Sequence, residues 1–135
     1  MKQASLKELH QIAIAARTAA HAPYSKFKVG AAIRLKSGEI FSGCNVENAS
    51  YGGTICAERV AICKAVSELG EIEIADVVVV TDSKKAWPPC GMCRQFIAEF
   101  SSAKTKVHTG NLKKIQKSYR FDKLQPEAFN SSFLK

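Results

Sequence analysis

Two short clusters contain the residues whose types and spacing could do chemistry: Thr54-Ile55-Cys56-Ala57-Glu58-Arg59, and Cys90-Gly91-Met92-Cys93-Arg94-Gln95 after the pair Pro88-Pro89. Each sets its cysteines at the start of a predicted helix, where the dipole and the free N–H groups favour thiolate over thiol. The Cys-x-x-Cys pair Cys90 and Cys93, with Cys56 as a third sulfur, supplies three ligands for a tetrahedral Zn²⁺ and leaves the fourth position open. An open position marks a catalytic zinc; a structural one closes its shell with protein ligands. The available fourth ligands are Cys44, Cys63, His10, His21 and His108. Cys63 lies almost two helical turns after Cys56, ~10 Å away by helical rise, and a buried apolar role suits it better. Cys44, at the end of a predicted strand, reads as a small buried residue. The histidines have no ligand-like spacing and read as surface or loop residues.

Glu58 falls just after Cys56 in the first turn of its helix. There it can face the metal's open position without binding the metal, and move a proton between an activated water and a substrate. A carboxylate at a helix start also complements the dipole, but beside three cysteines the catalytic reading prevails. Three thiolates outweigh the charge of a dication and weaken it as a Lewis acid. Arg59 and Arg94, each beside a cluster, would relieve that charge or be ordinary surface arginines.

The clusters need a scaffold, and the rest of the chain describes one. Ser5 with Glu8 is a capping-box start, and Leu6, Leu9, Ile12 or Ala13, Ala16 and Ala20 fall at helical spacing. The run from Met1-Lys2 to Ala20-His21-Ala22 imitates a secretion leader, but His10, Gln11 and Arg17 interrupt it, so it is read as an amphipathic first helix. Residues 27–35 predict a strand, 36–39 a tight turn and 40–44 its hairpin partner. A loop over 48–53 leads to a helix capped by Thr54 and closed near Leu69 by Gly70. Val77 to Val80 is an apolar run typical of a strand buried on both faces. Residues 91–100 predict a third helix, and 106–108 and 115–121 two more strands, with Ile115, Tyr119 and Phe121 on one face. The tail from Leu124 reads as a short turn or helix. Together these predict a single α/β domain over residues 1–135, three-layered, with a mixed sheet of about five strands covered by helices.

Composition bounds the partners. A chain of 135 residues, 46% hydrophobic and 24% charged, suits one globular core. No apolar stretch approaches the ~20 residues that span a bilayer. With that, five cysteines and no secretion leader, we expect a cytoplasmic protein without a disulfide framework or a membrane partner. The formal charge is +8, and seven Lys or Arg stand against Asp122 between Lys104 and Lys123. That region is either an anion-attracting face or a solvated strand pair. Its interleaved apolar residues and scarce arginine favour the second, so nucleic acid is not an expected partner.

At these residues the chain resembles the small, homotetrameric, three-cysteine class of cytidine deaminases, whose pattern Cys-Ala-Glu-Arg followed by Pro-Cys-Gly-x-Cys-Arg-Gln stands here as Cys56 to Arg59 and Pro89 to Gln95. The zinc chemistry of nucleobase deaminases uses the same ligand set with a glutamate that is not a ligand. The likeness extends to Phe27-Lys28-Val29-Gly30-Ala31-Ala32, Asn45-Val46-Glu47-Asn48-Ala49-Ser50-Tyr51 and Leu124-Gln125-Pro126-Glu127-Ala128-Phe129, so it covers most of the chain. It implies zinc-dependent deamination of cytidine and deoxycytidine in pyrimidine salvage, with one Zn²⁺ per subunit. It further implies Asn45 and Glu47 on the ribose hydroxyls, Tyr51 and Ala57 in the nucleoside site, Phe27 walling the pyrimidine, and Phe129 reaching the base of a neighbouring subunit. The expected assembly is a homotetramer with shared active sites. From pattern alone, Phe27 and Phe129 read as core residues. The chain departs from the family's pattern at Met92, at Gln125 and in Trp87-Pro88 before the second cluster.

Three rival readings share some of these residues. A blasticidin-type deaminase would share the zinc clusters, but the intact Asn45-x-Glu47-Asn48 segment favours a ribose-bearing substrate. A polynucleotide deaminase resembles His-x-Glu rather than Cys56-x-Glu58. A zinc-stabilised binding module would need a fourth protein ligand and would leave Glu58 without a task.

Overall fold

The structure, a computed structural model, describes residues 3–135. The first helix, α1 (Leu6–Arg17), starts where expected: Ser5 Oγ accepts the Glu8 N–H at 3.1 Å. Its Leu9 and Ala13 are fully buried against Ala32, Val78 and Val80. The leader-like run therefore contributes a core helix, while Met1 and Lys2 lie outside the described residues.

The hairpin follows as β1 (Val29–Leu35) and β2 (Ile40–Cys44), antiparallel with Gly30 opposite Cys44. Strand β1 begins at Val29 rather than Phe27, because the backbone before it is engaged elsewhere. Phe27 N donates to Ser25 Oγ, and the Phe27 and Lys28 carbonyls accept from Asn45 Nδ2 and Arg17 Nε. After α2 (Ala57–Leu69) comes β3 (Ile74–Thr81), then α3 (Gly91–Glu99), β4 (Lys106–Gly110), β5 (Ile115–Arg120) and the single turn α4 (Phe121–Leu124). Gly70, at φ +82°, ends α2 in a conformation that a side chain would resist.

The sheet order is β2-β1-β3-β4-β5. Strands β3 and β4 run parallel, joined by the crossover helix α3, and the other neighbours are antiparallel. Alternate valines of β3 serve both faces: Val78 and Val80 meet α1, while Val77 and Val79 join Ile33, Ile62, Ile74, Ile97 and Val107 under α2 and α3. This is the expected three-layer α/β domain with a five-stranded mixed sheet. Among the described residues, no helix is long and apolar enough to cross a membrane.

Several local expectations are corrected. Cys56, not Thr54, is the N-cap of α2; the Thr54 hydroxyl instead accepts from Asn48 N and pins the preceding loop. Cys63 is exposed and Cys44 only half-buried. His10 and His108 are buried rather than surface residues, with His10 Nε2 2.7 Å from Asn111 O. Ile115 packs toward α1 whereas Phe121 packs on the opposite side of the sheet, because β4 and β5 shift register at Thr109/Gly110 and Phe121 has already turned into α4. The seven cations between Lys104 and Lys123 are all exposed.

One polar row crosses this sheet. Asp76 accepts from Arg34 and lies 2.8 Å from His108 Nε2, and His108 Nδ1 lies 2.7 Å from Ser118 Oγ. Burial alone would raise the Asp76 carboxyl, but the hydrogen bonds with His108 and Arg34 outweigh it and hold the group below its ordinary value. Since the unfolded carboxyl takes its proton first as pH falls, the row stabilises the fold above the unfolded value of about 3.9 and fades as pH drops through the folded one. Asp76→Asn leaves the half-buried Arg34 without its buried counter-charge and is expected to cost about 3 kcal/mol at neutral pH. Urea unfolding of the variant should also show a flatter loss of stability between pH 5 and pH 3, to be compared directly with wild type.

Gly43 sets the distance between the hairpin and α2. A Cβ there would sit 2.6 Å from Ala57 O and 2.7 Å from Ala61 N, both backbone atoms of α2. Gly43→Ala is expected to destabilise the fold by about 2 kcal/mol. The same substitution must displace the helix start that carries Cys56 and Glu58, so turnover should fall more than the unfolding midpoint alone predicts.

Candidate metal centre and active site

The two helix starts converge below the ends of β1 and β3. Cys56 is the N-cap of α2 and Cys90 the N-cap of α3, with Cys93 in the first turn of α3. Their positive helix ends therefore point at one group of sulfurs. Cys56 Sγ and Cys90 Sγ are 3.8 Å apart, and all three sulfurs lie within 4.8 Å of one another. Zinc–sulfur bonds of about 2.3 Å in a tetrahedron require sulfurs ~3.8 Å apart, so the donor set fits the ion. Among the described residues no further cysteine, histidine or carboxylate completes this group. The open fourth position of the sequence reading is thus compatible with the geometry.

The protonation pattern follows from the packing. The hydrogen bond with Cys93, opposed by burial and assisted by Arg59 and Cys90, pulls the Cys56 thiol down to about 5. Cys93 is the other side of that bond: sharing its proton with Cys56, and fully buried, it is held well above the ordinary thiol value. Glu58 is 4% exposed. Burial first, then the negative charge of Cys56, push its carboxyl up to about 7. A carboxyl poised there both accepts and releases a proton near neutrality.

Arg59 and Arg94 are built differently. Arg59 Nη2 donates to Thr54 O at 3.0 Å and approaches Cys56 Sγ at 3.9 Å, with its guanidinium over the Phe96 ring. Arg94 spends its donors on Pro89 O at 2.8 Å and Leu124 O at 2.7 Å, tying α3 to the tail. The tail is also held by Gln95 Nε2 on Phe129 O and by Gln125 Nε2 on Gln95 Oε1.

A cavity of about 210 Å³ opens above the sulfurs, lined by Cys56, Ala57, Glu58, Cys90, Asn45 and Trp87 among others. The Asn45 amide is fixed by the backbone: Oδ1 accepts from Val29 N and Nδ2 donates to Phe27 O, both at 2.8 Å. Glu47 stands outside the cavity wall, its carboxylate accepting from Tyr24 N, Ser25 N and Ser25 Oγ. Those bonds, the Ser25 hydroxyl first, hold it below the usual carboxylate value. Phe27 is exposed and meets Trp87 edge to face at 5.1 Å. Tyr51 and Phe129 are not brought into the cavity: Tyr51 packs on Tyr24, and Phe129 stacks on Phe133. Both phenylalanines are therefore surface residues and not core. Trp87 and Pro88 were missed as lining residues, although an aromatic set directly before the cysteine cluster was a signal available in the sequence.

This fold, a mixed sheet presenting three thiolates and a buried glutamate at two helix starts, defines a zinc deaminase class. Comparison with known proteins agrees. The family model for the cytidine and deoxycytidylate deaminase zinc-binding region matches residues 3–109. A cytidine deaminase of Halalkalibacterium halodurans is 49% identical over 119 residues, covering 88% of this chain and 89% of that protein. Among solved structures, the cytidine deaminase of Burkholderia pseudomallei is similar at a TM-score of 0.87 and 39% identity, covering 93% of this chain and all of that one. That of Mycobacterium tuberculosis gives 0.79 at 33% identity, covering 94% of this chain and 98% of that one. The chain belongs to the cytidine and deoxycytidylate deaminase family of zinc-binding enzymes.

Proposed function

We infer that the chain hydrolyses the 4-amino group of cytidine and deoxycytidine, giving uridine and deoxyuridine with release of ammonia. The observation that carries this is a single one: three cysteine sulfurs lie within 4.8 Å of one another, and two of them, those of Cys56 and Cys90, line a cavity together with the buried Glu58. Bound by Cys56, Cys90 and Cys93, zinc supplies an activated water as nucleophile and a Lewis acid to orient it. Glu58 delivers a proton to ring N3, which makes C4 more electrophilic, and water adds there while giving up a proton to the Glu58 carboxylate. Glu58 passes that proton to the exocyclic nitrogen, the C4–N bond breaks to release ammonia, and the new C4 hydroxyl returns a proton to Glu58 as it becomes the carbonyl. Arg59, against Cys56 Sγ, offsets the excess negative charge of the thiolates. Arg94, whose donors lie on Pro89 O and Leu124 O, contributes at most a longer-range charge beside Cys93.

Asn45 and Glu47 hold the sugar. Asn45 keeps one N–H and one oxygen lone pair beyond its backbone bonds, and the ionised Glu47 accepts from a hydroxyl. Ala57 closes the floor beside Cys56, and Phe27 flanks the base. The exposure of Phe129 supports its use at a neighbour's site, within a homotetramer that shares active sites, while Tyr51 belongs to the nucleoside site on family resemblance. We place this single catalytic domain, residues 1–135, in cytoplasmic pyrimidine salvage, on family resemblance.

A substrate panel tests the reading. Zinc-loaded protein should turn over cytidine and deoxycytidine, and leave free cytosine and blasticidin S essentially untouched. Turnover of blasticidin S alone would move the chain to the rival deaminase class.

A further inference from the structure

The segment between β3 and the second cysteine cluster is tied down from the far edge of the sheet. Gln116, on the edge strand β5, accepts from Ala86 N through Oε1 at 2.7 Å and donates to Lys84 O through Nε2 at 2.8 Å. Within the segment, Ser83 Oγ donates to Lys85 O at 2.6 Å and lies 3.0 Å from Thr81 Oγ1. A surface loop carrying Lys84 and Lys85 is thus held at both sides of residue 85 by a side chain from another strand. Directly after the clamp comes Trp87. Trp87 is 39% exposed, its ring meets that of Phe27 edge to face at 5.1 Å and 64°, and it lines the cavity with Cys56, Glu58 and Cys90. A large aromatic side chain left this open has little core to serve. What it offers the cavity is a broad apolar surface, and a flat heterocycle stacks on such a surface.

We propose that Trp87 and Phe27 form an aromatic corner that receives the pyrimidine ring, and that Gln116 is the positioning residue that holds Trp87 there through the backbone of residues 84–86. The inference rests on the nucleoside reading above, and adds a wall to that site which no feature of the metal cluster specifies. It assigns a task to a residue on the outermost strand, remote from the sulfurs. Because the contact is with the base, the sugar's 2′ position is irrelevant to it.

Trp87 is the only tryptophan of the chain, so its emission reports on this corner alone. Zinc-loaded Glu58→Ala protein, which binds without turning over, is titrated with cytidine while that emission is followed; a saturable change is expected. In the otherwise wild-type enzyme, Trp87→Ala should raise KM roughly tenfold or more, in line with the cost of truncating an aromatic under a stacked base, with kcat altered less than threefold. The rise should be equal for cytidine and deoxycytidine. Trp87→Phe should recover most of it, and Gln116→Ala should shift KM in the same direction by a smaller factor, with zinc content unchanged in all three. An unchanged KM in Trp87→Ala, a silent emission at saturating cytidine, or a loss of kcat with constant KM would overturn the corner while wild-type turnover leaves the deaminase reading standing. No wild-type turnover of either nucleoside would overturn both.

Discussion

Glu58→Gln is expected to lower kcat on cytidine by roughly a thousandfold, within the range that positioned proton transfer contributes, while zinc content stays at one per chain. The amide has the carboxyl's shape but can neither take a proton nor give one. The buried position makes this substitution clean, since no solvent-exposed function is lost with it. It also carries a sign that a purely structural glutamate would not. The folded carboxyl, raised to about 7 by burial and by Cys56, binds its proton more tightly than the unfolded one. Its ionisation therefore works against the fold as pH rises from the unfolded value through the folded one. In chelator-treated protein, Glu58→Gln should match wild type near pH 4, below the unfolded carboxyl value, and exceed it by on the order of 3 kcal/mol at pH 8. Urea unfolding at the two pH values checks this, and stopped assays check kcat. A variant that kept a tenth of the wild-type rate would remove Glu58 from the chemistry.

The second large effect is expected from Cys90→Ala. Cys90 is exposed at an N-cap, so the fold loses little packing with it. The metal loses a third of its protein ligands. Zinc affinity should fall by more than the roughly hundredfold that outer-shell changes cost, and activity at equimolar zinc should disappear. Thermal unfolding supplies a readout independent of turnover, because a ligand that binds only the folded state raises its stability with concentration. Wild-type Tm should climb on zinc addition after chelation, and that of Cys90→Ala should climb far less. Zinc retention should also weaken as pH falls, because protons compete with the metal for the thiolates. Equal zinc-dependent stabilisation of variant and wild type would place the ion elsewhere.

Much of the scaffold was legible because local pattern and tertiary demand agree. The Ser5 cap, the Leu9/Ala13 stripe, the 36–39 turn and the two-sided valine run of β3 each follow from spacing, and each is found. The two cysteine clusters were legible for the same reason, since helix starts are where thiolates are stabilised and the spacing puts them there. What was lost lies where long-range contacts decide. Nothing local tells that Asp76, His108 and Ser118 share a row across three strands, so His108 read as a surface residue. Cys56 took the cap because the loop before it consumes the Thr54 hydroxyl, a bond to Asn48 that sequence spacing does not announce. Phe27 and Phe129 read as core on hydrophobicity, although one faces Trp87 and the other Phe133 at the surface. Gln116 is a polar residue on an edge strand, and only the folded structure brings it to the loop that carries Trp87.

The most direct test of the whole account follows an oxygen atom. Zinc-loaded protein is given cytidine in water enriched in oxygen-18, and uridine and ammonia are quantified together with the mass of the product. One ammonia should be released per uridine formed, with the label at the C4 carbonyl and nowhere else in the product. Intact cytidine and no ammonia, from folded protein that holds one zinc at Cys56, Cys90 and Cys93, would contradict it.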